Sequence, residues 1–374
     1  MSILLPEGGY GCVFTPNITW KGNLDCSQKT ITKLQSNGDI TKNEIMISKN
    51  IKTIHNFNNF FSPILNSCPI QFKELNKSSV KECDTIQDNN NNLILMEQTF
   101  IKGETLDNSF INKTSKNGLK QILDSYNYLL KTIQILTQKN IVHYDIKSGN
   151  IMYNDEKNIP ILINFGLSIS ISNLTEENYS KHFYVYAPEY YLWCPEIHYI
   201  NYLLHINKNP SLDEIKNIAS NYISGFKGLN MYSISFKNEY KNSIVDFLKQ
   251  FIGKSHTFVI QELLLYFNKW DNFSLSAMYL RILEFINKDG FTNNSFLLYF
   301  YELLTTNIHP NPEKRKSLKE TSQIFSSLLI NKNIDSKYDF SNIIQEITSN
   351  KQHIKNNLQK NKTYLSILQK SFKH

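Results

Sequence analysis

The chain has 374 residues, 41% of them hydrophobic, 13% aromatic and 20% charged, enough apolar material for two ordinary cores and too much for wholesale disorder. Its net charge of +7, from 40 basic against 33 acidic residues, is too modest for a dedicated nucleic-acid coat. No run approaches about twenty consecutive apolar residues, so no ordinary transmembrane helix is expected. Residues 1–7 have neither the basic start nor the apolar centre of a secretory signal, and an intracellular, cytoplasmic protein is the expectation. Cys12, Cys26, Cys68, Cys83 and Cys194 are odd in number and form no C-x-x-C pair, which reads as free thiols with neither a disulfide framework nor a zinc site.

In chain order, 10–16, 30–34 and 92–97 alternate or run apolar between Gly, Asn and Pro breaks and predict short strands around one helix. The polar run 88–92 reads as a hairpin loop. From Leu119 the period changes. Leu119, Ile122, Leu123, Tyr126, Leu129, Leu130, Ile133 and Leu136 recur at helical spacing and predict a buried helix reaching Gln138. Further on, Ser211 with Glu214 three residues later is a helix start, and 244–252 and 259–267 predict two more apolar-faced helices. The last segment, 351–374, carries Lys351, Lys355, Lys360, Lys362, Lys370 and Lys373 and no carboxylate side chain, with Ile354, Leu358, Leu365, Leu368 and Phe372 as an apolar stripe. It reads either as a docked terminal helix with a solvated lysine face or as a surface for a membrane or an acidic partner.

The chemistry concentrates in His143-Tyr144-Asp145-Ile146-Lys147-Ser148-Gly149-Asn150, which follows the buried helix and precedes an apolar strand. One loop there offers a carboxylate, a lysine and an amide. Phosphoryl transfer needs this combination: a base orients a hydroxyl, a cation meets the transferring group, and an amide oxygen ligates Mg²⁺. Fourteen residues beyond Asn150, the strand 161–163 ends in Asn164-Phe165-Gly166.

With these residues the chain resembles the eukaryotic-type protein kinases, whose motifs are a Gly-rich loop, a strand lysine, H-R-D-x-K-x-x-N and D-F-G. Gly8-Gly9-Tyr10-Gly11-Cys12-Val13 is similar to the later part of the Gly-rich loop, with Pro6 at its first glycine. Thr30-Ile31-Thr32-Lys33 resembles the lysine strand, and Glu44 is the helix glutamate that would pair with Lys33. Met96 takes the gatekeeper position, and the backbone around Glu97 would face adenine. Both Ala187-Pro188-Glu189 and Cys194-Pro195-Glu196 match the A-P-E that closes the activation segment, Glu189 being slightly favoured. Asp271 would hold the catalytic loop through its backbone N–H groups, and Arg315 would pair with the activation-segment glutamate.

The resemblance spans roughly 5–328 and implies an α+β, two-lobed fold: a small β-rich lobe, 1–99, and a large mostly helical lobe, 100–328. An inserted helical subdomain at about 197–268 and a basic helical tail at 329–374 complete the expected layout, which resembles the divergent kinases of large DNA viruses. The implied activity is Ser/Thr transfer of the γ-phosphoryl of ATP to protein hydroxyls. Asp145 would be the base, Lys147 the phosphoryl cation, and Asn150 and Asn164 the ligands of Mg²⁺ or Mn²⁺. Gly8, Gly9, Gly11, Val13, Lys33, Glu44, Met96 and Glu97 would bind or position ATP. No specific nucleic-acid motif is present.

Two departures bear on activity. Tyr144 stands where regulated kinases carry arginine, so no guanidinium is available there to clamp a phosphorylated loop. Asn164 replaces the metal-binding aspartate, an anionic ligand, with a neutral amide, and weaker metal binding follows. A pseudokinase scaffold that binds nucleotide or a partner without turnover is the alternative. A small-molecule kinase would leave Asp271, Arg315 and the P-E motif unexplained.

Overall fold

The computed structural model describes residues 3–4, 11–15, 17–18, 24–25, 29–75, 80, 83, 92–112, 115–286, 295–330 and 341–371. The chain divides into two compact units, one comprising 1–104, 150–168 and 369–374 and the other 105–149 and 169–368.

The first unit is built on a five-stranded antiparallel sheet in the spatial order Ile3–Leu4, Cys12–Thr15, Thr30–Ser36, Leu93–Thr99, Ile64–Ile70. Thr30–Ser36 lies at its centre, with Lys33 opposite Val13 on one side and Met96 on the other. Both faces of a central strand are covered, and Thr32, Lys33, Leu34 and Gln35 are accordingly buried in succession. Phe14, Leu34, Ile70, Leu93 and Leu95 form the core on one side. The helix Asp39–Lys52 buries Thr41, Glu44, Ile47, Ser48 and Ile51, one stripe at helical spacing. Asp39 in its first turn and Lys49 and Lys52 in its last complement the helix dipole.

The free-thiol expectation is overturned for two cysteines. Cys12 and Cys83 form a disulfide with their Cα atoms 5.9 Å apart. They are 71 residues apart in the chain, so no local spacing announces that the sheet brings them together. Cys68 and Cys194 are free thiols, as expected.

The second unit is mostly helical. Its long helix Ser115–Gln138 places Tyr126 at the centre of an aromatic cluster, 4.9 Å in each case from the rings of Tyr279, Phe300 and Phe325. In the helix Trp270–Ile286 every residue is buried except Arg281 and Glu284, which pair with each other. A helix buried all round is the axis of a core rather than a surface element. The Ser211 capping box forms as expected and opens Leu212–Gly225. The next two helices run over Ile234–Leu248 and His256–Leu264, earlier than the apolar runs suggest, because Ser233 and Ser255 cap them by accepting from Phe236 N and Phe258 N. Gly225 lies so close to the Pro188-Glu189 backbone that an added Cβ would come 2.7 Å from Glu189 Cα. The terminal helix Lys351–Ser371 is docked: Ile354, Leu358 and Leu365 are buried while Lys351, Lys355, Lys360 and Lys370 are exposed. Phe372 and Lys373 lie outside the described residues. Among the described residues, no helix is long and apolar enough to cross a membrane.

Candidate functional site

The first unit assembles the lysine, glutamate and amide groups. Lys33, on the central strand, and Glu44, on the covering helix, form a buried pair, with Nζ 3.1 Å from Oε1 and 2.8 Å from Oε2. A buried ion pair needs its remaining hydrogen-bonding capacity satisfied, and Lys33 Nζ also donates to Asn164 Oδ1 at 3.3 Å. Asn164 Nδ2 in turn donates to Asn150 Oδ1 at 3.1 Å. Asn164 is therefore oriented by both neighbours, its oxygen toward the cation and its nitrogen toward the other amide. Its backbone is left-handed, φ 66°, a conformation that asparagine adopts more readily than most residues.

Amide oxygens are the donor type a hard cation takes, but Asn164 Oδ1 faces Lys33 while its Nδ2 meets Asn150 Oδ1, so both amides would have to turn their oxygens to one ion, and the set lacks the charge that a carboxylate would bring. Among the described residues no cluster of three His, Cys, Asp or Glu side chains offers another metal site.

Asn43 is a site residue that the motif reading passed over. Its Nδ2 donates to Gly166 O at 2.9 Å and Ser168 O at 2.8 Å, tying the Glu44 helix to the chain just after Asn164. The only hint in the sequence is its place beside Glu44. Gly166 packs so tightly there that a Cβ would meet Ile40 Cγ2 at 2.9 Å. Gly11 is similarly constrained, since an added Cβ would lie 2.6 Å from Leu34 O on the lysine strand. Gly8 and Gly9 lie outside the described residues. Val13 is half-buried on its strand. Met96 is fully buried against Ile64, Ile94 and Ile45. The Glu97 carboxylate accepts from Asn66 Nδ2 at 2.7 Å.

The second unit holds the carboxylate. Asp145 is buried and Lys147 half-buried beside it, Lys147 Nζ 3.1 Å from Asp145 Oδ2. Burial pulls the Lys147 pKa down, and the Asp145 charge opposes that shift. The loop takes its shape from Asp271, whose carboxylate accepts from His143 N at 2.7 Å and Tyr144 N at 3.0 Å, as the resemblance implies. Burial raises the Asp271 pKa to about 6 against the lowering effect of those two N–H groups.

Tyr144 has φ 69°, a costly conformation for a bulky side chain that persists only where its surroundings impose it. Trp193 Nε1 donates to Tyr144 O at 2.8 Å, and the Tyr144 ring packs on Trp193 and Phe183. An aromatic pin thus stands in place of a charged clamp. The hydroxyl of Tyr190 donates to Asp145 Oδ1, a contact that no motif in the sequence disclosed.

Arg315 pairs with Glu196 and not with Glu189. Its guanidinium takes Glu196 bidentately, at 2.8 and 2.7 Å, stacks on Phe273 and donates to His309 O and Pro310 O. Glu189, slightly favoured from sequence, is exposed. An A-P-E reading cannot separate two Pro-Glu pairs seven residues apart.

Residues 29–194 match the family model for protein tyrosine and serine/threonine kinase. The chain is also 38% identical over 77 residues, 21% of its length, to serine/threonine-protein kinase D of Synechocystis sp.. It spans 14% of that relative's length.

Proposed function

As the chain belongs to the eukaryotic-type protein kinase superfamily, we propose that it transfers the γ-phosphoryl of ATP to serine or threonine hydroxyls of proteins, at a rate reduced by Asn164. The observation that carries this reading is the supported catalytic loop: Asp145 paired with Lys147 on a backbone held by Asp271. An eroded loop would have no need of that support.

Asp145 orients the acceptor hydroxyl and receives its proton as the oxygen attacks phosphorus. Lys147 stabilises charge on the transferring phosphoryl, and ADP leaves as the bridging P–O bond breaks. Lys33, fixed by Glu44, engages the α- and β-phosphates, so the nucleotide is positioned without reorganisation at the moment of reaction. Asn150 and Asn164 would hold Mg²⁺ or Mn²⁺, which when bound neutralises phosphate charge. Gly11 and Val13, with Gly8 and Gly9, would cover the nucleotide, and the backbone near Met96 and Glu97 would take adenine.

Transfer of labelled γ-phosphate to the chain itself and to myelin basic protein tests this, with Mg²⁺ or Mn²⁺ and with Asp145→Ala as the control. Signal lost in the variant is the expected result; equal background from both folded proteins under either metal would sink the reading. One observation favours a second reading. Asn164 spends its oxygen on Lys33 and its nitrogen on Asn150, an arrangement suited to holding nucleotide without turnover. Nucleotide binding with no transfer would select that scaffold reading.

A further inference from the structure

We infer that Tyr190 occupies the place of the acceptor hydroxyl on Asp145, so that the chain competes with its own protein substrate; this rests on the reading of Asp145 as the base. Tyr190 is fully buried, and its phenol donates to Asp145 Oδ1. The other carboxylate oxygen, Oδ2, faces Lys147 Nζ at 3.1 Å. Oδ1 is thus the oxygen on which a substrate hydroxyl would be oriented, and a phenol O–H offers it the same donor chemistry as a serine or threonine. The contact is a hydrogen bond to a charged acceptor, stronger than a neutral one, in a site withdrawn from water.

Tyr190 is also braced. Its ring packs edge-on against Trp193, 4.9 Å between centroids. The residues on either side of it are tied to the terminal helix: Asn361 Nδ2 donates to the Tyr191 hydroxyl at 3.2 Å, and the Tyr364 hydroxyl donates to Glu189 O at 3.3 Å. Lys227 Nζ lies 5.8 Å from the Tyr364 ring centroid and holds that side chain from the insert. Segment 189–191 and the helix Lys351–Ser371 therefore form one braced assembly with Tyr190 at its tip. For a substrate hydroxyl to reach Oδ1, the phenol must leave, and loosening the terminal helix eases its departure.

Tyr190→Phe removes the hydroxyl and keeps the ring that packs on Trp193. The apparent KM for myelin basic protein should fall about 10-fold with the KM for ATP unchanged, because an occupied competing state divides the apparent affinity for the acceptor alone. Asn361→Ala combined with Tyr364→Phe should move the same KM in the same direction by a smaller factor. A merely structural phenol would not separate the two KM values, and a phenol that positions Asp145 would lower kcat when removed. An acceptor KM that is unchanged or raised in Tyr190→Phe, while transfer stays Asp145-dependent, overturns the inference and leaves the kinase reading standing. If neither the native chain nor Tyr190→Phe gives transfer above Asp145→Ala, all three being folded by thermal melting, the reading of Asp145 fails and the inference falls with it.

Discussion

Arg315 and Glu196, 119 residues apart, form a bidentate pair in which both side chains are almost wholly buried. Removing one partner of such a pair strands the other charge away from water, which costs about 3–5 kcal/mol. Arg315→Ala and Glu196→Ala should each destabilise the chain by that amount in urea denaturation. Glu189→Ala, at an exposed position, should change stability by less than about 0.5 kcal/mol. Equal losses at Glu189 and Glu196 would contradict the assignment.

Asn164→Asp restores a carboxylate beside Asn150 and Lys33. If the amide forfeits about 2–5 kcal/mol of transition-state stabilisation, the variant should transfer phosphate about 30-fold to several thousand-fold faster and saturate at lower Mg²⁺. A Mg²⁺ titration of the initial rate reads both effects. An unchanged rate and metal dependence would show that no cation is held at this position during turnover.

Two buried groups oppose each other in acid. Burial raises Asp271 to about 6 from 3.8, so between those values the folded chain keeps a proton that the unfolded chain releases, and stability falls as pH rises through that window. Burial lowers His198 from 6.5 to about 3, so over that range the unfolded chain binds the extra proton and stability rises with pH. Each full proton amounts to about 1.4 kcal/mol per pH unit, and between about pH 4 and 6 the two slopes largely cancel. Asp271→Asn removes the falling slope, so the variant should gain stability with pH more steeply than the native chain. Denaturant unfolding at half-unit pH steps checks the difference in slope, and identical slopes would contradict the Asp271 shift.

Replacing both Cys12 and Cys83 by serine should cost about 2–4 kcal/mol, since the bridge closes a long loop of the unfolded chain. A reductant should lower the melting temperature of the native chain toward that of the variant and leave the variant where it is. Such a bridge persists only where thiols are not kept reduced, which places a condition on the intracellular expectation.

What the sequence made legible was local chemistry. Lys33, Glu44, Asp271 and Arg315 each belong to a motif with fixed residue types and spacing and each meets the kind of protein partner its motif implies, whereas Asp145 and Lys147 meet each other, a pairing the motif reading did not state. The strands Cys12–Thr15, Thr30–Ser36 and Leu93–Thr99 and the helix ending at Gln138 followed from periodicity, as did the apolar stripe of the terminal helix, whereas the strand Ile64–Ile70 was not anticipated. What stayed hidden depended on contacts between distant segments. The Cys12–Cys83 pairing, the choice of Glu196 and the phenol of Tyr190 on Asp145 are set by which segments the core brings together, and no spacing rule reports that. The serine caps at Ser233 and Ser255 were visible in principle, but apolar runs drew the helix starts too far along.

Asn43 joins the glutamate helix to the two carbonyls that follow Asn164, while Glu44 and Asn164 both hold Lys33. Helix, strand lysine and amide are thereby latched as a single body. A latch already thrown offers no lever to an effector that works by swinging this helix in and out, because two hydrogen bonds and an ion pair would have to break before it moved. On the kinase reading proposed above, control then falls elsewhere than on this helix, as at the Tyr190 contact with Asp145.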